Sequence, residues 1–305
     1  MSRPRRPPSR PVHGILLLDK PLGLSSSQAL QQVRFLLKAE KAGHTGSLDP
    51  LASGMLPLCF GEATKLSAYL LEADKRYLTT ATLGQVSTTG DSEGELSEPA
   101  PIPELSRYSV ERVLASFRGE IEQIPPMYSA LKKDGKKLYE LARQGIEVER
   151  SSRTVTISEL TLVDFDEQHL KLDVSCSKGT YIRTLVEDIG QALGCGAYVS
   201  ALHRVEVYPF NGLRTYSLDE LRELNDQGGV AALDQCLLPM DAALPHLPSV
   251  TLHEAQVAKI QLGQKIRCEQ PSVPLIKLYD EAGVFIGLGE ISANITLQPK
   301  RVFVF

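Results

Sequence analysis

Residues 43–54 read GHTGSLDPLASG. Three glycines and one proline in twelve residues favour an irregular backbone, so we expect a loop here. The glycines allow a ligand to approach the backbone closely, and Asp49 follows His44 by five residues. For an isolated Asp-Pro pair, the usual role of the carboxylate is to stabilise a turn or cap a helix. In this glycine-flanked context Asp49 is a candidate nucleophile or general base.

The segments on both sides of this loop combine strand patterns with amphipathic helix patterns. Strands are predicted over 14–19, 76–83, 154–164, 170–176 and 201–208, and helices near 26–37, 63–71, 110–117, 182–193, 217–224 and 229–237. The two kinds of element do not alternate as regular β-α-β units. We therefore predict an α+β fold built on a mixed, mainly antiparallel sheet rather than a doubly wound parallel sheet.

The length of 305 residues is about twice the commonest domain size, which favours one large domain and one small one. We predict a basic flexible arm over 1–12, a main domain over 13–249 and a small β-rich domain over 250–305. Within the main domain, residues 84–106 look like a surface excursion, and 124–150 form a basic, hairpin-like insertion.

Composition excludes several classes of protein. With 42% hydrophobic and 23% charged residues, the chain resembles an average globular protein and not a disordered or fibrous one. The apolar run Ile15–Leu18 is too short for a signal peptide or a membrane span. The five cysteines are scattered and never form C-x-x-C, so we expect a reducing, cytoplasmic location without disulfides or a zinc site.

The charge is unevenly distributed along the chain. The formal net charge is −4, yet residues 1–85 carry eleven basic residues against six acidic ones. Segregated charge permits binding of a polyanion on one face of an acidic protein, although such runs also occur as ordinary solvated surface. Neither a dinucleotide-binding glycine motif, a P-loop, an H-x-x-x-H pair nor a G-x-S-x-G elbow is present. We therefore expect no cofactor and no metal.

Several motifs, in order along nearly the whole chain, resemble the stand-alone bacterial TruB family of tRNA pseudouridine synthases. Ser47 and His203 depart from residues common in that family, and both lie beside key positions without replacing them. The matching segments are 18–26, 43–57, 74–77, 118–119, 124–145 and 176–184. The last domain resembles, more weakly, the family's small PUA-type RNA-binding domain.

This resemblance implies roles for particular residues. Asp49 matches the catalytic aspartate, and Arg183 matches its arginine partner, which would lower the pKa of the carboxyl group and hold it in place. Without the resemblance, Arg183 would be read as a helix-surface partner of Glu187. Tyr77 matches the residue that stacks on the extruded uracil, and its alternative is an ordinary core aromatic. The remaining substrate-binding candidates are His44, Lys65, Tyr181, Leu202 and the lysines within 132–137.

The resemblance also implies an activity. The expected reaction is isomerisation of the T-loop uridine of tRNA, position 55, to pseudouridine, after the base is flipped out of the loop. We expect a monomer that binds the T-arm of tRNA without a membrane or a protein partner. The alternatives are an RNA-binding or tRNA-folding protein with incidental isomerase activity, and a guide-RNA-dependent relative. The basic insertion resembles that of the stand-alone enzymes, which disfavours the guide-dependent type.

Overall fold

The computed structural model describes residues 9–305. Most of the predicted flexible arm, residues 1–8, lies outside the described residues. The rest of it is not free. The Arg10 N–H donates to the Lys38 carbonyl at 2.8 Å, and its guanidinium donates to the Asp234 carboxylate at 2.9 Å. Val12 is buried. The prediction of a flexible arm over 1–12 is therefore wrong for residues 10–12.

In the described part of the chain, ten strands and six α-helices precede the C-terminal sheet, and they occupy most of the predicted segments. The strands are β1 (Gly14–Lys20), β2 (Ala42–His44), β3 (Ala52–Phe60), β4 (Lys75–Leu83), β5 (Gly119–Gln123), β6 (Lys132–Lys133), β7 (Lys136–Lys137), β8 (Arg153–Phe165), β9 (His169–Cys176) and β10 (Ala197–Val207). The helices are α1 (Ser26–Leu36), α2 (Ser67–Leu71), α3 (Arg107–Ala115), α4 (Leu138–Ala142), α5 (Ile182–Leu193) and α6 (Leu218–Asp234). The two helices predicted around 217–237 are joined in α6 across a break at Gly229.

The main sheet has eight strands in the order β1-β3-β10-β4-β9-β8-β5, with β2 paired to β3. All of these pairs are antiparallel except β3 with β10, which is parallel. The predicted α+β class with a mixed, mainly antiparallel sheet is confirmed.

Strand β3 is the largest element that the sequence patterns missed. Gly54 and Pro57 both disfavour a strand interior, and the glycine-rich loop was expected to continue to residue 54. The glycine is required at this point because β10 approaches closely. A Cβ atom on Gly54 would lie 2.2 Å from the carbonyl oxygen of Arg204, and its φ is +103°. The irregular loop is therefore confined to 45–51.

Helices cover the main sheet in two places. Leu114 of α3 and Leu185 of α5 are buried in the same apolar cluster as Leu172 of β9, and burial of each such side chain contributes about 1.5–3 kcal/mol. Helix α1 packs with α6 over β1 and β3, and Ser25 begins α1 with a capping box closed by Gln28. These contacts fix β4, β10 and α5, the elements that carry most of the candidate site residues.

The C-terminal residues form a second sheet of five strands, accompanied by one helix. Its elements are β11 (Ser249–Leu252), α7 (Glu254–Gln261), β12 (Ile266–Arg267), β13 (Val273–Asp280), β14 (Phe285–Ile291) and β15 (Thr296–Val302). Its apolar residues divide between two clusters. One lies within the sheet, whereas Phe285, Leu288 and Phe303 join Ile15 and Leu17 of β1 in a cluster shared with the main domain. Within 9–305, no helix has the length and apolarity needed to cross a bilayer.

Candidate active site

The Asp49 loop, residues 45–51, is held on both sides by hydrogen bonds. The Ser26 hydroxyl donates to the Leu48 carbonyl at 3.0 Å and accepts the Leu48 N–H at 2.7 Å. From β10, the buried Arg204 guanidinium donates to the carbonyls of Met55 at 2.7 Å and Gly46 at 3.0 Å. The loop is therefore irregular in backbone conformation and fixed in position.

Arg183 places a cation beside the Asp49 carboxylate. Its Nη2 atom lies 3.0 Å from Asp49 Oδ2, and its Nη1 atom lies 3.3 Å from Asp91 Oδ2. The guanidinium also donates to the carbonyls of Thr89 at 2.8 Å and Tyr128 at 2.7 Å. The Arg183 side chain is only 6% exposed, so the alternative of a helix-surface pair with Glu187 is wrong.

The Asp49 carboxylate is accessible from the cleft but largely surrounded by protein. The Asp49 side chain is 42% exposed because it faces the cleft. Burial raises the pKa of Asp49 above its ordinary value, while the positive charges of Arg183 and Lys20 act in the opposite direction. The expected lowering by Arg183 is present, but desolvation outweighs it.

Lys20 is a second cation at the site, and the sequence analysis did not single it out. Its side chain is fully buried, and Nζ donates to the carbonyls of Pro21 at 2.8 Å and Leu24 at 2.6 Å. Burial lowers the pKa of Lys20 to about 8, although the negative charge of Asp49 favours its protonation. A lysine in a Lys-Pro turn is typical of a surface loop, which is why its sequence context gave no signal.

A cleft of about 830 Å³ opens above the carboxylate. Tyr77 and Leu202, from the paired strands β4 and β10, are nearly buried and line the cleft. Tyr181, the N-cap residue immediately before α5, also lines it. Of the seven site residues that were predicted singly, six are therefore brought together: His44, Asp49, Tyr77, Tyr181, Arg183 and Leu202. Of the four lysines within 132–137, Lys137 lines the cleft.

The surroundings of His44 favour the neutral form of its imidazole ring. Its Nδ1 atom is buried without a hydrogen-bond partner among residues 9–305. Burial, together with the positive charge of Arg204, lowers the pKa of His44. An uncharged imidazole at the edge of the cleft suits contact with a nucleobase better than contact with a phosphate.

Lys65 was predicted to be a site residue, but it does not line the cleft. Its ammonium group donates to the Glu62 carboxylate and, at 2.9 Å, to the carbonyl of Val302 at the end of β15. The hydrogen bond from Lys65 to Val302 connects the main domain to the C-terminal sheet. The assignment of Lys65 to substrate binding is therefore not supported by its position.

Asp91 is the most important residue that the sequence analysis missed. It is buried, its carboxylate accepts from the Thr89 hydroxyl at 2.5 Å and from the Glu93 N–H at 3.0 Å, and it lines the cleft. The segment 84–106 was expected to be a surface excursion, and this is wrong for residues 87–91, which fold back against α5. A single aspartate in an acidic, glycine-containing segment gives no sequence signal of burial.

No group of three or more His, Cys, Asp or Glu side chains in the described part of the chain could hold a metal ion. The charged groups at the cleft floor instead balance one another. Arg183 lies between the Asp49 and Asp91 carboxylates, and the half-buried Glu187 follows one turn along α5. Asp49 is therefore a carboxylate that can be reached from the cleft and is held beside an arginine, while Glu93 is a second, exposed carboxylate in the lining of the cleft.

Three family models match consecutive parts of this chain. The N-terminal domain of TruB family pseudouridylate synthases matches residues 34–182. The C-terminal domain of tRNA pseudouridylate synthase B matches 183–245, and the C-terminal model of pseudouridine synthase II TruB matches 248–303. The tRNA pseudouridine synthase B of Ectopseudomonas mendocina is 54% identical over 294 residues, 96% of each chain, and that of Pseudomonas aeruginosa is 53% identical over the same length.

The chain belongs to the TruB family. The resemblance seen in its motifs is thereby confirmed, and with it the enzyme class, a pseudouridylate synthase and hence an isomerase. A solved structure, described as a Cbf5-Nop10-Gar1 complex, is similar with a TM-score of 0.72 and 25% identity over 96% of this chain and 85% of the other. This similarity extends the TruB fold assignment across both sheets.

Proposed function

We propose that this TruB-family enzyme converts uridine 55 in the T-loop of tRNA to pseudouridine, with Asp49 as the reacting carboxylate. The observation that carries the proposal is the Asp49–Arg183 pair, 3.0 Å apart, at the floor of a cleft lined by Tyr77 and Leu202. The relatives of Ectopseudomonas mendocina and Pseudomonas aeruginosa are named as tRNA pseudouridine synthases, which supports tRNA as the substrate.

The depth of the site requires a nucleotide that leaves its stack. A base inside a folded loop does not reach a carboxylate at the floor of a cleft, so the target must be flipped out. Tyr77 offers an aromatic face for stacking, a contact worth about 1–3 kcal/mol per base. Leu202 and Tyr181 supply the apolar walls, and the uncharged His44 lies at the edge where the neighbouring bases would pass.

The chemistry suits a single carboxylate. Formation of pseudouridine breaks the bond between ribose C1′ and base nitrogen N1, rotates the base and forms a bond from C1′ to carbon C5. The proton on C5 is lost and N1 gains a proton, so the reaction is balanced as an isomerisation. No electrons, phosphate or water are consumed overall. The ionised Asp49 is the reactive form, whether the carboxylate attacks the substrate or removes a proton. Arg183 favours that ionised form and fixes the orientation of the carboxylate.

Affinity for tRNA is assigned to two further regions, which complete the proposed domain organisation. The insertion 124–150 of the catalytic domain (13–249) carries four lysines on the β6–β7 hairpin. The C-terminal domain (250–305) is proposed to be a PUA-like RNA-binding module. We further propose a cytoplasmic monomer that needs no protein partner. The five buried cysteines, all free, are consistent with a reducing compartment.

The test is incubation of the protein with an unmodified tRNA transcript, followed by carbodiimide-dependent primer extension. We expect a single new stop at position 55, and none with a transcript that carries cytidine there. A stop elsewhere would contradict the T-loop assignment. Tight binding with no stop would instead favour the RNA-binding or RNA-folding alternative. Size-exclusion chromatography with light scattering tests the monomer.

A further inference from the structure

The two ends of the insertion meet directly beside the cleft. Gln123 is the last residue of β5 and Arg153 the first residue of β8, and the two are partners in the antiparallel pairing of these strands. Both side chains contact the same residue, Tyr181. The strand pair that carries the insertion thus contacts the N-cap residue of α5.

Gln123 holds the backbone of Tyr181 with two hydrogen bonds. Its Nε2 atom donates to the Tyr181 carbonyl at 3.0 Å, and its Oε1 atom accepts the Tyr181 N–H at 2.8 Å. The same carbonyl accepts the Leu185 N–H at 3.1 Å in the first turn of α5. The residue at this helix start makes no side-chain cap of its own, so Gln123 supplies the polar contacts there. At 1% exposure, Gln123 has these contacts shielded from water.

Arg153 holds the ring and the preceding turn. Its guanidinium carbon lies 4.9 Å from the centre of the Tyr181 ring, and it donates to the Gly179 carbonyl. Tyr128, within the insertion, accepts from Arg183 through its carbonyl at 2.7 Å. Tyr181 therefore has its peptide group fixed from one strand and its ring from the other.

We propose that Gln123 and Arg153 are positioning residues for the isomerisation. They act through Tyr181, which lines the cleft, and through the first turn of α5, in which Arg183 is the second residue. An error of about 1 Å in the placement of a reacting group costs about 100-fold in rate, so the hydrogen bonds at Tyr181 control turnover rather than affinity. The inference rests on the proposed function, because it concerns the same reaction.

The first test replaces Gln123 by methionine, which keeps the length and removes both hydrogen bonds. The single-turnover rate on saturating tRNA is expected to fall about 10- to 100-fold, with the dissociation constant for tRNA within about twofold of that of the unchanged protein. Gln168→Met, in an exposed turn between β8 and β9, is the matched control and is expected to keep the full rate. Loss of affinity at an unchanged rate would overturn the proposal.

The second test asks whether the two hydrogen bonds to Tyr181 position this residue for the reaction or only provide buried polar groups with partners. In Gln123→Glu, the neutral acid both donates and accepts, whereas the carboxylate only accepts and repels the Tyr181 carbonyl. The rate of this variant divided by the rate of the unchanged protein is therefore expected to rise as the pH falls. The division removes the titration of Asp49. A ratio independent of pH would overturn the proposal.

These results separate the two hypotheses. Absence of pseudouridine with the unchanged protein refutes the proposed function itself. Normal activity in both Gln123 variants and in Arg153→Met refutes the positioning role and leaves the function intact. Thermal unfolding of each variant is measured alongside. If Gln123→Met does not fold, the pH dependence of Gln123→Glu decides, since its acid form retains both hydrogen bonds.

Discussion

The Asp49 loop and the insertion face the same cleft but are built in opposite ways. In the loop and its surroundings, Lys20, Asp91, Arg183 and Arg204 are buried, and each has fixed partners. In the insertion, Lys132, Lys133 and Lys136 are exposed on two-residue strands. Chemistry requires groups whose position and protonation are fixed, whereas phosphate contacts tolerate mobile, solvated charge. The two regions should therefore respond differently to substitution.

Asp49→Asn is the largest expected effect. The amide keeps the shape of the side chain and cannot act as a carboxylate, so turnover should fall more than about 100-fold, a barrier increase of roughly 3 kcal/mol. tRNA affinity and thermal stability should change little, because Arg183 keeps Asp91 as a partner. The measurement is single-turnover pseudouridine formation, with Asp226→Asn on α6 as the exposed control. Activity above about one per cent would show that Asp49 is not the reacting group.

Arg183→Met should change both the rate and its dependence on pH. A rate loss of about 10- to 100-fold is expected, larger than any loss of affinity. Arg183 lowers the pKa of Asp49, so its removal raises that pKa further, and the acidic limb of the rate profile moves to higher pH.

Arg183→Lys serves as the comparison, because it keeps a positive charge and should leave the acidic limb closer to that of the unchanged protein. If affinity collapses while the rate on bound tRNA is unchanged, Arg183 is a phosphate contact and its assigned role is wrong.

Replacing Lys132, Lys133 and Lys136 by glutamine tests the insertion. Affinity for tRNA should fall about tenfold, and the slope of log affinity against log salt should become shallower by about two to three. The rate on saturating tRNA should not change. Lys171→Gln, on β9, is the control. A lower rate at saturation would erase the contrast between the two regions.

Glu187→Gln is the smallest expected effect and concerns stability. Burial, with the negative charges of Asp188 and Asp91, raises the pKa of Glu187 to about 7. The folded state therefore disfavours the charged form, and the resulting loss of stability develops as the pH rises through this pKa. The variant should melt about 2–4 °C higher than the unchanged protein at pH 8 and equally at pH 4.5. Equal melting temperatures at pH 8 would show that Glu187 is not held in an unfavourable environment.

The same contrast explains what the sequence could predict. Asp49 stood out because its glycine-rich context is unusual, and the exposed basic insertion stood out through its composition. Asp91, Lys20 and Arg204 did not, because their importance comes from burial, which depends on the packing of distant segments. Asp91 lies in an acidic stretch typical of surface, and only contact with α5 makes it part of the site.

Strand β3 and Lys65 show two kinds of wrong prediction: an element that the sequence patterns missed and a residue that they placed at the wrong site. Gly54 and Pro57 argue against a strand, yet the close approach of Arg204 requires a glycine, so tertiary contact overrode local preference. Lys65 was predicted to contact RNA phosphate, with ordinary solvated surface as the alternative. Its contact with Val302, 237 positions away, could not be read from the local sequence.

The apolar cluster shared by the two sheets also bears on how the protein is made. Ile15 and Leu17 are synthesised near the start of the chain, and their partner Phe303 near its end. At 5–20 residues per second, roughly 15 to 60 s separate the two events on the ribosome. During that interval the apolar cluster around Ile15 and Leu17 of β1 lacks the residues contributed by the C-terminal sheet. We therefore expect nascent chains of this protein to depend on ribosome-associated chaperones until the final strand emerges.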